Sequence, residues 1–279
     1  MKDMDFLDRG SAPLTAEDWA LIDQQVVKAA KEVMVARRVI DVLGPLGPGV
    51  YSFPYSYYSP GKSVISLLGD EDDLLEAAGR RTVNLPMIYQ DFKLFWRDME
   101  GDRKLGAPLD VSTAALAANA VALKEDDLIF NGSKELGHEG LFTATGRQQL
   151  KISNWEENGA GLADVVKAKN LLAQAGHYGD ASLVVSPALY GQLVRQYGMT
   201  GMLELDQVKA LVQGGVFYSN MIQGNKGVLL SNRAPNVQMV VGQDLVTGYT
   251  ESSKMNHIFR VMETAALLIR RADGIVTIE

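Results

Sequence analysis

Few side chains in this sequence are spaced as chemistry would need them. The histidines, His138, His177 and His257, are isolated from one another, with no HxH or HxxxH pair to grip a metal. A lone histidine of this kind is ordinarily a hydrogen-bonded surface or core residue. Cysteine is absent, which excludes thiolate nucleophiles, disulfides and thiolate metal ligands. Gly61-Lys62-Ser63 matches the end of a phosphate-binding loop, but that loop needs a glycine five positions before Gly61, and Ser56 stands there. The residues that follow also read as a strand, not as the start of a helix. Gly44, Gly47 and Gly49, interrupted by Pro45 and Pro48, have the wrong order for a dinucleotide fingerprint.

The acidic runs are no better as sites. Asp70-Glu71-Asp72-Asp73 could attract a cation, but contiguous acids lack the alternate spacing of a calcium loop and read as a solvated turn. Glu125-Asp126-Asp127 falls late in a predicted helix, where only part of the run can face one side. Asn131-Gly132-Ser133 fits the glycosylation pattern, which carries no meaning in a chain expected in the cytoplasm. No Gly-x-Ser-x-Gly elbow occurs. No catalytic residue, metal site or cofactor is therefore expected, and a structural or binding role is favoured.

The elements that would position any site are those of an ordinary globular chain. Of 279 residues, 47% are hydrophobic and 22% charged, enough for a large core without disulfide staples. A net charge of -7 gives no overall attraction to phosphate backbones, so nucleic acid is not an expected partner. Arg37-Arg38, Arg80-Arg81 and Arg270-Arg271 are the obvious candidates for a local basic patch, and each is only a dipeptide that reads as a solvated edge or an ion-paired surface. The acidic start, Met1-Lys2-Asp3-Met4-Asp5-Phe6, leads into no apolar run, so neither a signal peptide nor a membrane span is expected.

Along the chain, residues 1–14 read as an irregular arm. Thr15 caps a helix, with Glu17 and Asp18 in the first turn where the dipole favours acids. Trp19, Ile22, Val26, Ala29, Ala30 and Val33 then recur at helical spacing, predicting an amphipathic helix to about Arg37. Val39–Val42 reads as a short strand, ended by Gly44-Pro45-Leu46-Gly47-Pro48-Gly49. Residues 50–80 read as a long two-stranded excursion carrying Tyr51, Phe53, Tyr55, Tyr57 and Tyr58, with a turn at Ser59-Pro60-Gly61, a strand at Val64–Leu68 and an acidic turn at Gly69–Asp73. An isolated hairpin is barely stable in water, so its aromatics call for cover by a neighbouring subunit. Residues 82–97 are expected as one strand, in which Phe92, Leu94 and Trp96 alternate with Lys93, Phe95 and Arg97. An alanine-rich helix follows, opened by Asp110 or Ser112 and closed by Asn131-Gly132. Helices are predicted over Leu162–Ala175, Pro187–Tyr197 and Leu205–Gln213, and strands over Ser182–Val185, Val216–Tyr218, Val228–Leu230, Val237–Val241, Asn256–Arg270 and Ile275–Ile278. This mixed order implies an α+β fold.

Several separated segments together resemble one family. They are Ala12-Pro13-Leu14-Thr15; Ala36-Arg37-Arg38-Val39-Ile40-Asp41-Val42 with Gly44-Pro45-Leu46-Gly47; Asp127-Leu128-Ile129-Phe130-Asn131-Gly132 with Gly140-Leu141; Gly242-Gln243-Asp244-Leu245 with Gly248-Tyr249; and Phe259-Arg260-Val261-Met262-Glu263-Thr264. In order and spacing they are similar to encapsulins, the linocin-like shell proteins of bacterial nanocompartments. A departure is Pro48-Gly49-Val50, where an aromatic often follows the glycine in that family.

The resemblance implies the fold of tailed-phage major capsid proteins. On this chain it would place an N-terminal arm and helix at 1–49, an extended loop at 50–80, a peripheral domain at 81–148 and 237–262, and an axial domain at 149–236 and 263–279. It also implies a function: a subunit that assembles with copies of itself into an icosahedral shell and encloses cargo carrying a short C-terminal targeting peptide. Position by position, the peptide groove would use Arg37, Ile40 and Asp41, opposite Asp244, Leu245 and Tyr249. The alternative is that these residues only pack the first helix onto the domain. The family's pore loop matches Tyr197-Gly198-Met199-Thr200-Gly201-Met202, with Met199, Thr200 and Gly201 lining an uncharged opening, or else merely capping the preceding helix.

Asn84–Tyr89, Phe95–Asp98, Asn131–Glu135 and Met255–His257 resemble the subgroup with large shells and iron-mineralising cargo. The implied cargo is a ferritin-like protein or a peroxidase, for iron storage or protection against oxidative stress in the cytoplasm. Two other readings stand beside this one. A phage capsid protein would share the fold but often carries an N-terminal scaffolding region, which is not expected here. A hydrolase is opposed by the missing cysteines and the scattered histidines.

Overall fold

The structure is a computed structural model and describes residues 6–59, 61, 65, 74–199, 201–231 and 236–279. Helix α1 (Ala16–Val33) begins with a capping box: Thr15 Oγ1 accepts the Asp18 N–H at 3.2 Å, and Asp18 Oδ2 accepts the Thr15 N–H at 2.9 Å. Its inward stripe is Trp19, Ile22, Val26, Ala29 and Ala30. Burying Ile22 and Val26 contributes roughly 1.5–3 kcal/mol each.

The predicted continuation to Arg37 is interrupted. Met34 turns extended, and Ala36–Val39 forms a separate helical turn, α2. Strand β1 (Asp41–Leu43) is therefore shorter than expected, because Val39 belongs to that turn. The chain then bends at Gly44, whose φ is 128°; a Cβ there would lie 2.3 Å from the carbonyl oxygen of Val241.

Strands β2 (Ser52–Tyr57) and β3 (Gly79–Asn84) pair antiparallel, from Ser52 opposite Asn84 to Tyr57 opposite Gly79, and form a two-stranded sheet of their own. The expected strand at Val64–Leu68 and the acidic turn at Gly69–Asp73 lie essentially outside the described residues. The single strand expected over 82–97 is instead divided at Leu85-Pro86 into β3 and β4 (Met87–Leu94). Trp96 does not continue it but opens helix α3 (Trp96–Leu105), which buries Met99 and stops at Gly106 with φ 66°.

Helix α4 (Ser112–Asn131) starts where Asp110 accepts both the amide and the hydroxyl of Ser112. Ala114, Ala118 and Ala122 on its inner side are fully buried, and such small residues let α1 approach closely. Beyond it come β5 (Gln148–Leu150), α5 (Ala160–Gln174), β6 (Ala181–Val185), α6 (Pro187–Leu193), α7 (Glu204–Leu211), β7 (Val216–Tyr218) and β8 (Gly227–Ser231). The last strands are β9 (Val237–Val241), β10 (Val246–Ser253), β11 (Asn256–Ile269) and β12 (Ile275–Ile278).

These strands make two five-stranded sheets. The first runs β1-β9-β11-β10, with β4 also on β11. The 14-residue β11 holds it together: its first half pairs with β10 and β4, and its second half pairs with β9. The second sheet runs β5-β12-β8-β6-β7. Parallel pairs occur at β1–β9, β5–β12 and β6–β7, and the rest are antiparallel, so the fold is α+β as expected. One core lies between α1, α4 and the first sheet, around Ile22, Val121 and Phe259. A second joins the two sheets through Phe130, Met239, Leu267 and Ile275. A third lies under α5, α6 and α7.

Candidate functional site

The strongest polar constellation sits where α2, α4, β10 and β11 meet. Two adjacent acids of α4 divide the work. Asp126, fully buried, accepts the backbone N–H groups of Val35 (3.0 Å) and Ala36 (2.9 Å) and so satisfies the start of α2. Glu125, also fully buried, takes the side chain that α2 presents next: Arg37 Nε lies 2.9 Å and Nη2 2.6 Å from Glu125 Oε2. The same guanidinium reaches Glu263 Oε2 on β11 at 2.7 Å and Asp244 Oδ1 at 2.7 Å. Three acids distant from α2 in sequence are thereby tied to one cation. The third acid of the run, Asp127, points elsewhere and accepts from Lys124 and Asn131.

Burial and pairing pull the titration of these groups in opposite directions. Burial disfavours the charge on Arg37, but hydrogen bonding to Glu125 and the charges of Glu125 and Glu263 outweigh it and raise the pKa. Burial, then the adjoining charge of Glu125, pushes Glu263 well above the usual carboxylate range. Asp244 is more exposed; burial is outweighed there by the Arg37 bond and by the N–H of Leu245, and its pKa falls. Burial raises Asp126 to about 6 despite its backbone donors.

The expected groove residues separate into groups. Arg37 and Asp244 are in direct contact. Leu245 packs beside Ala30, Met34 and Ala122, at the seam between α1 and the sheet. Tyr249 stands further along β10, edge-on to Phe259 with ring centroids 5.4 Å apart, and its hydroxyl lies 3.3 Å from His257 Nδ1. Ile40 is 7% exposed and belongs to the core between the sheets, so it presents no open wall. Asp41 is exposed on β1, paired in register with Gln238.

Sequence reasoning did not single out Glu125, Asp126 or Glu263 as members of a site. Two signals were present. Glu125 and Asp126 continue the buried stripe of Ala118, Val121 and Ala122 at helical spacing. Glu263 falls at the inward step of β11, between buried Val261 and Ala265. A charge on an apolar face needs a partner, and Arg37 supplies it.

In the expected pore segment, Tyr197 donates its N–H to Met202 at 2.7 Å, and Gly198 N–H is held by Asn158 at 2.9 Å. Met199 and Gly201 are exposed, and Thr200 lies outside the described residues. The histidines stand apart. His177 contacts Asn236 and Asp273 in the interior, His257 meets Tyr249, and burial lowers the pKa of His138. Among the described residues no helix is long and apolar enough to cross a membrane, and no group of three or more His, Asp or Glu side chains could hold a metal ion.

Comparison with known proteins gives consistent matches. Residues 4–266 match the model of the family described as encapsulating protein for peroxidase, Linocin_M18. The type 1 encapsulin shell protein EncA of Myxococcus xanthus is 40% identical over 279 residues, covering 99% of this chain and 96% of that one. Among solved structures, a virus-like particle from Pyrococcus furiosus superposes with a TM-score of 0.79 at 18% identity, covering 95% of this chain and 100% of that one. The capsid of the myovirus phage XM1 superposes with a TM-score of 0.62 at 12% identity, covering 86% and 88%. At such identities the two structures bear on the fold alone, and that fold is the one of phage capsid subunits.

Proposed function

Because this chain belongs to the encapsulin family of shell proteins, we propose that its copies close into an icosahedral compartment and enclose a cargo protein through a peptide at the cargo's C-terminus. The observation that carries the shell is the family match over residues 4–266 on a subunit with the capsid fold. The β2–β3 arm supports it. Tyr51 is 83% and Leu75 76% exposed in the single subunit, an apolar surface that an adjacent copy would cover. Head-to-tail contacts between identical subunits close into rings when the rotation permits, and rings sharing symmetry axes close into a shell. The division proposed for the chain is an arm and helix at 1–49, an extended loop at 50–80, a peripheral domain at 81–148 and 237–262, and an axial domain at 149–236 and 263–279. Met199, Thr200 and Gly201 are proposed to line an uncharged opening.

The cargo peptide is proposed to bind beside the seam of α1 and β10. Leu245 and Tyr249 offer apolar contact there, and Asp244, held by Arg37, offers a fixed charge at the rim. The proposed cargo is a ferritin-like iron-mineralising protein or a peroxidase. The peroxidase is suggested by the family's description, and the ferritin-like protein by the subgroup resemblance of Asn84–Tyr89 and Met255–His257. Light scattering and negative-stain images of the chain expressed alone test the shell. Hollow particles of megadalton mass are expected, and a monodisperse monomer or dimer overturns the reading. Co-expression with each cargo candidate tests the groove: Leu245→Asp is expected to leave shells intact and largely empty.

A further inference from the structure

Strand β10 is the last strand of the first sheet, so among the described residues one edge of its backbone has no strand beside it. An edge of this kind is a template for an added extended segment. The chain places its own N-terminal arm there. Leu7 O accepts the N–H of Tyr249 at 2.8 Å, and Arg9 Nε donates to Thr247 O at 2.9 Å. The contact is thus one main-chain and one side-chain bond: Asp8 between them is left-handed at φ 46°, and Arg9–Ser11 forms a short 3-10 turn, so the arm caps the edge without adding a strand. The Arg9 guanidinium is clamped by both oxygens of Asp23 at 2.7 and 2.8 Å and lies 4.5 Å above the ring of Trp19. Gly248 makes room for the approach: a Cβ there would sit 3.2 Å from Leu7 O and 3.3 Å from Leu7 Cδ2.

We propose that the β10 edge and the Asp23–Trp19 clamp form a two-anchor binding site for a peptide with an apolar residue two positions before an arginine, which Leu7 and Arg9 occupy in the free subunit and which the cargo's targeting segment takes by displacing them. The inference rests on the cargo reading above, because Asp244, Leu245 and Tyr249 lie on or just before the same strand. The tethered arm competes at high effective concentration, so an incoming segment gains the edge only when many copies are presented together or when its contacts exceed those of the arm. The arm thereby sets a threshold for filling the shell.

The test uses a fluorescent protein tagged at its C-terminus with residues 5–12, Asp-Phe-Leu-Asp-Arg-Gly-Ser-Ala. It is co-expressed with the full chain, with the Leu7→Gly/Arg9→Ala chain, and with that variant also carrying Asp23→Asn. Arm-released shells are expected to retain at least about ten-fold more tagged protein than wild-type shells, and Asp23→Asn is expected to return the amount to that of an untagged control. Equal retention by wild-type and arm-released shells overturns the inference, as does indifference to Asp23→Asn. Should the variants not assemble, hydrogen exchange on wild-type shells decides: the Ser11 and Ala12 amides, which donate to the Asp8 and Arg9 carbonyls in the docked arm, must exchange faster in shells filled with tagged protein than in empty ones, and unchanged exchange overturns the proposal. A ferritin-like cargo with its own C-terminal segment separates the two readings. Loading that Leu245→Asp abolishes but arm release leaves unchanged overturns the competing arm and keeps the groove. Loading indifferent to Leu245→Asp and raised by arm release overturns the Leu245 groove and supports the edge site.

Discussion

The guanidinium of Arg37 is held by both oxygens of Glu125, a fully buried carboxylate: Nε lies 2.9 Å and Nη2 2.6 Å from Oε2, and Nε lies 3.0 Å from Oε1. That contact joins a four-residue helical turn to the long helix behind it, and Glu263 and Asp244 extend it to the sheet. Removing the cation strands buried acid. Arg37→Met is expected to cost about 3–5 kcal/mol, as for other buried pairs broken from one side. Adding Glu125→Gln and Glu263→Gln should recover most of that loss, since neutral amides need no counter-ion. Denaturant titration of the variants checks both. A loss under about 1 kcal/mol for Arg37→Met would mean the cluster is not the tie described.

Asp126 gives a pH dependence of definite sign. Its carboxyl rises from 3.8 to about 6 on folding, chiefly through burial, with Glu125 adding repulsion and Arg38 opposing it. The native state therefore holds the proton more tightly than the unfolded chain. The stabilisation is complete below the unfolded value of 3.8 and is lost as pH rises through about 6, a change of about 3 kcal/mol. Asp126→Asn keeps an acceptor for the Val35 and Ala36 amides but cannot ionise. It should equal the wild type near pH 4 and exceed it above pH 7. Thermal midpoints across pH 5–7 check this. That window lies above the range where Asp164 and Asp273, whose values are lowered on folding, begin to lose their own contribution. Parallel curves for the two proteins would sink the assignment.

What was legible in the sequence was local. Thr15 with Asp18 marks the start of α1, and Asn131-Gly132 marks the end of α4, because a cap is written within a few residues of the helix it closes. The break after Val33 was not legible, since the residue that caps α2 is Asp126, 91 positions away from Val35. Trp96 fitted a strand by alternation, yet Gly106 downstream was a stop signal that favoured the helix α3. Of the site, Arg37 and Asp244 came from family resemblance. Their buried partners Glu125 and Glu263 were readable only as acids at inward-facing steps.

Gly132 is a backbone requirement. It closes α4 at φ 72° and ψ -171°, and a Cβ would come 2.4 Å from the carbonyl oxygen of His138 and 2.6 Å from the amide of Gly140. Both obstacles are main chain, so no rotamer relieves them. Gly132→Ala is expected to cost at least about 1–3 kcal/mol. It should also loosen the segment in which Leu141 and Phe142 donate their N–H groups back to Ile129 and Phe130. Thermal unfolding together with protease sensitivity near residue 140 measures this. An unchanged midpoint would show that the turn can re-form without the glycine.

The arm of β2 and β3 separates folding from assembly. Phe53, Tyr55 and Val83 pack on the buried Leu85, Val240, Ala266 and Leu268, which anchors the base of the arm in its own subunit. Tyr51 is 83% exposed and Tyr58 40%, so those rings contribute little to the subunit's core. If neighbouring copies cover them, a charge at Tyr51 is solvated in the free subunit but desolvated in the shell, where burying an unpaired charge is strongly unfavourable. Tyr51→Glu should therefore leave the circular dichroism spectrum and unfolding midpoint of the free subunit unchanged while reducing assembled particles at least about ten-fold by light scattering. Tyr51→Phe, which keeps the apolar ring, should assemble normally. Full assembly of the Tyr51→Glu chain would remove this residue from the contact between copies, and a destabilised subunit would place it in the fold instead.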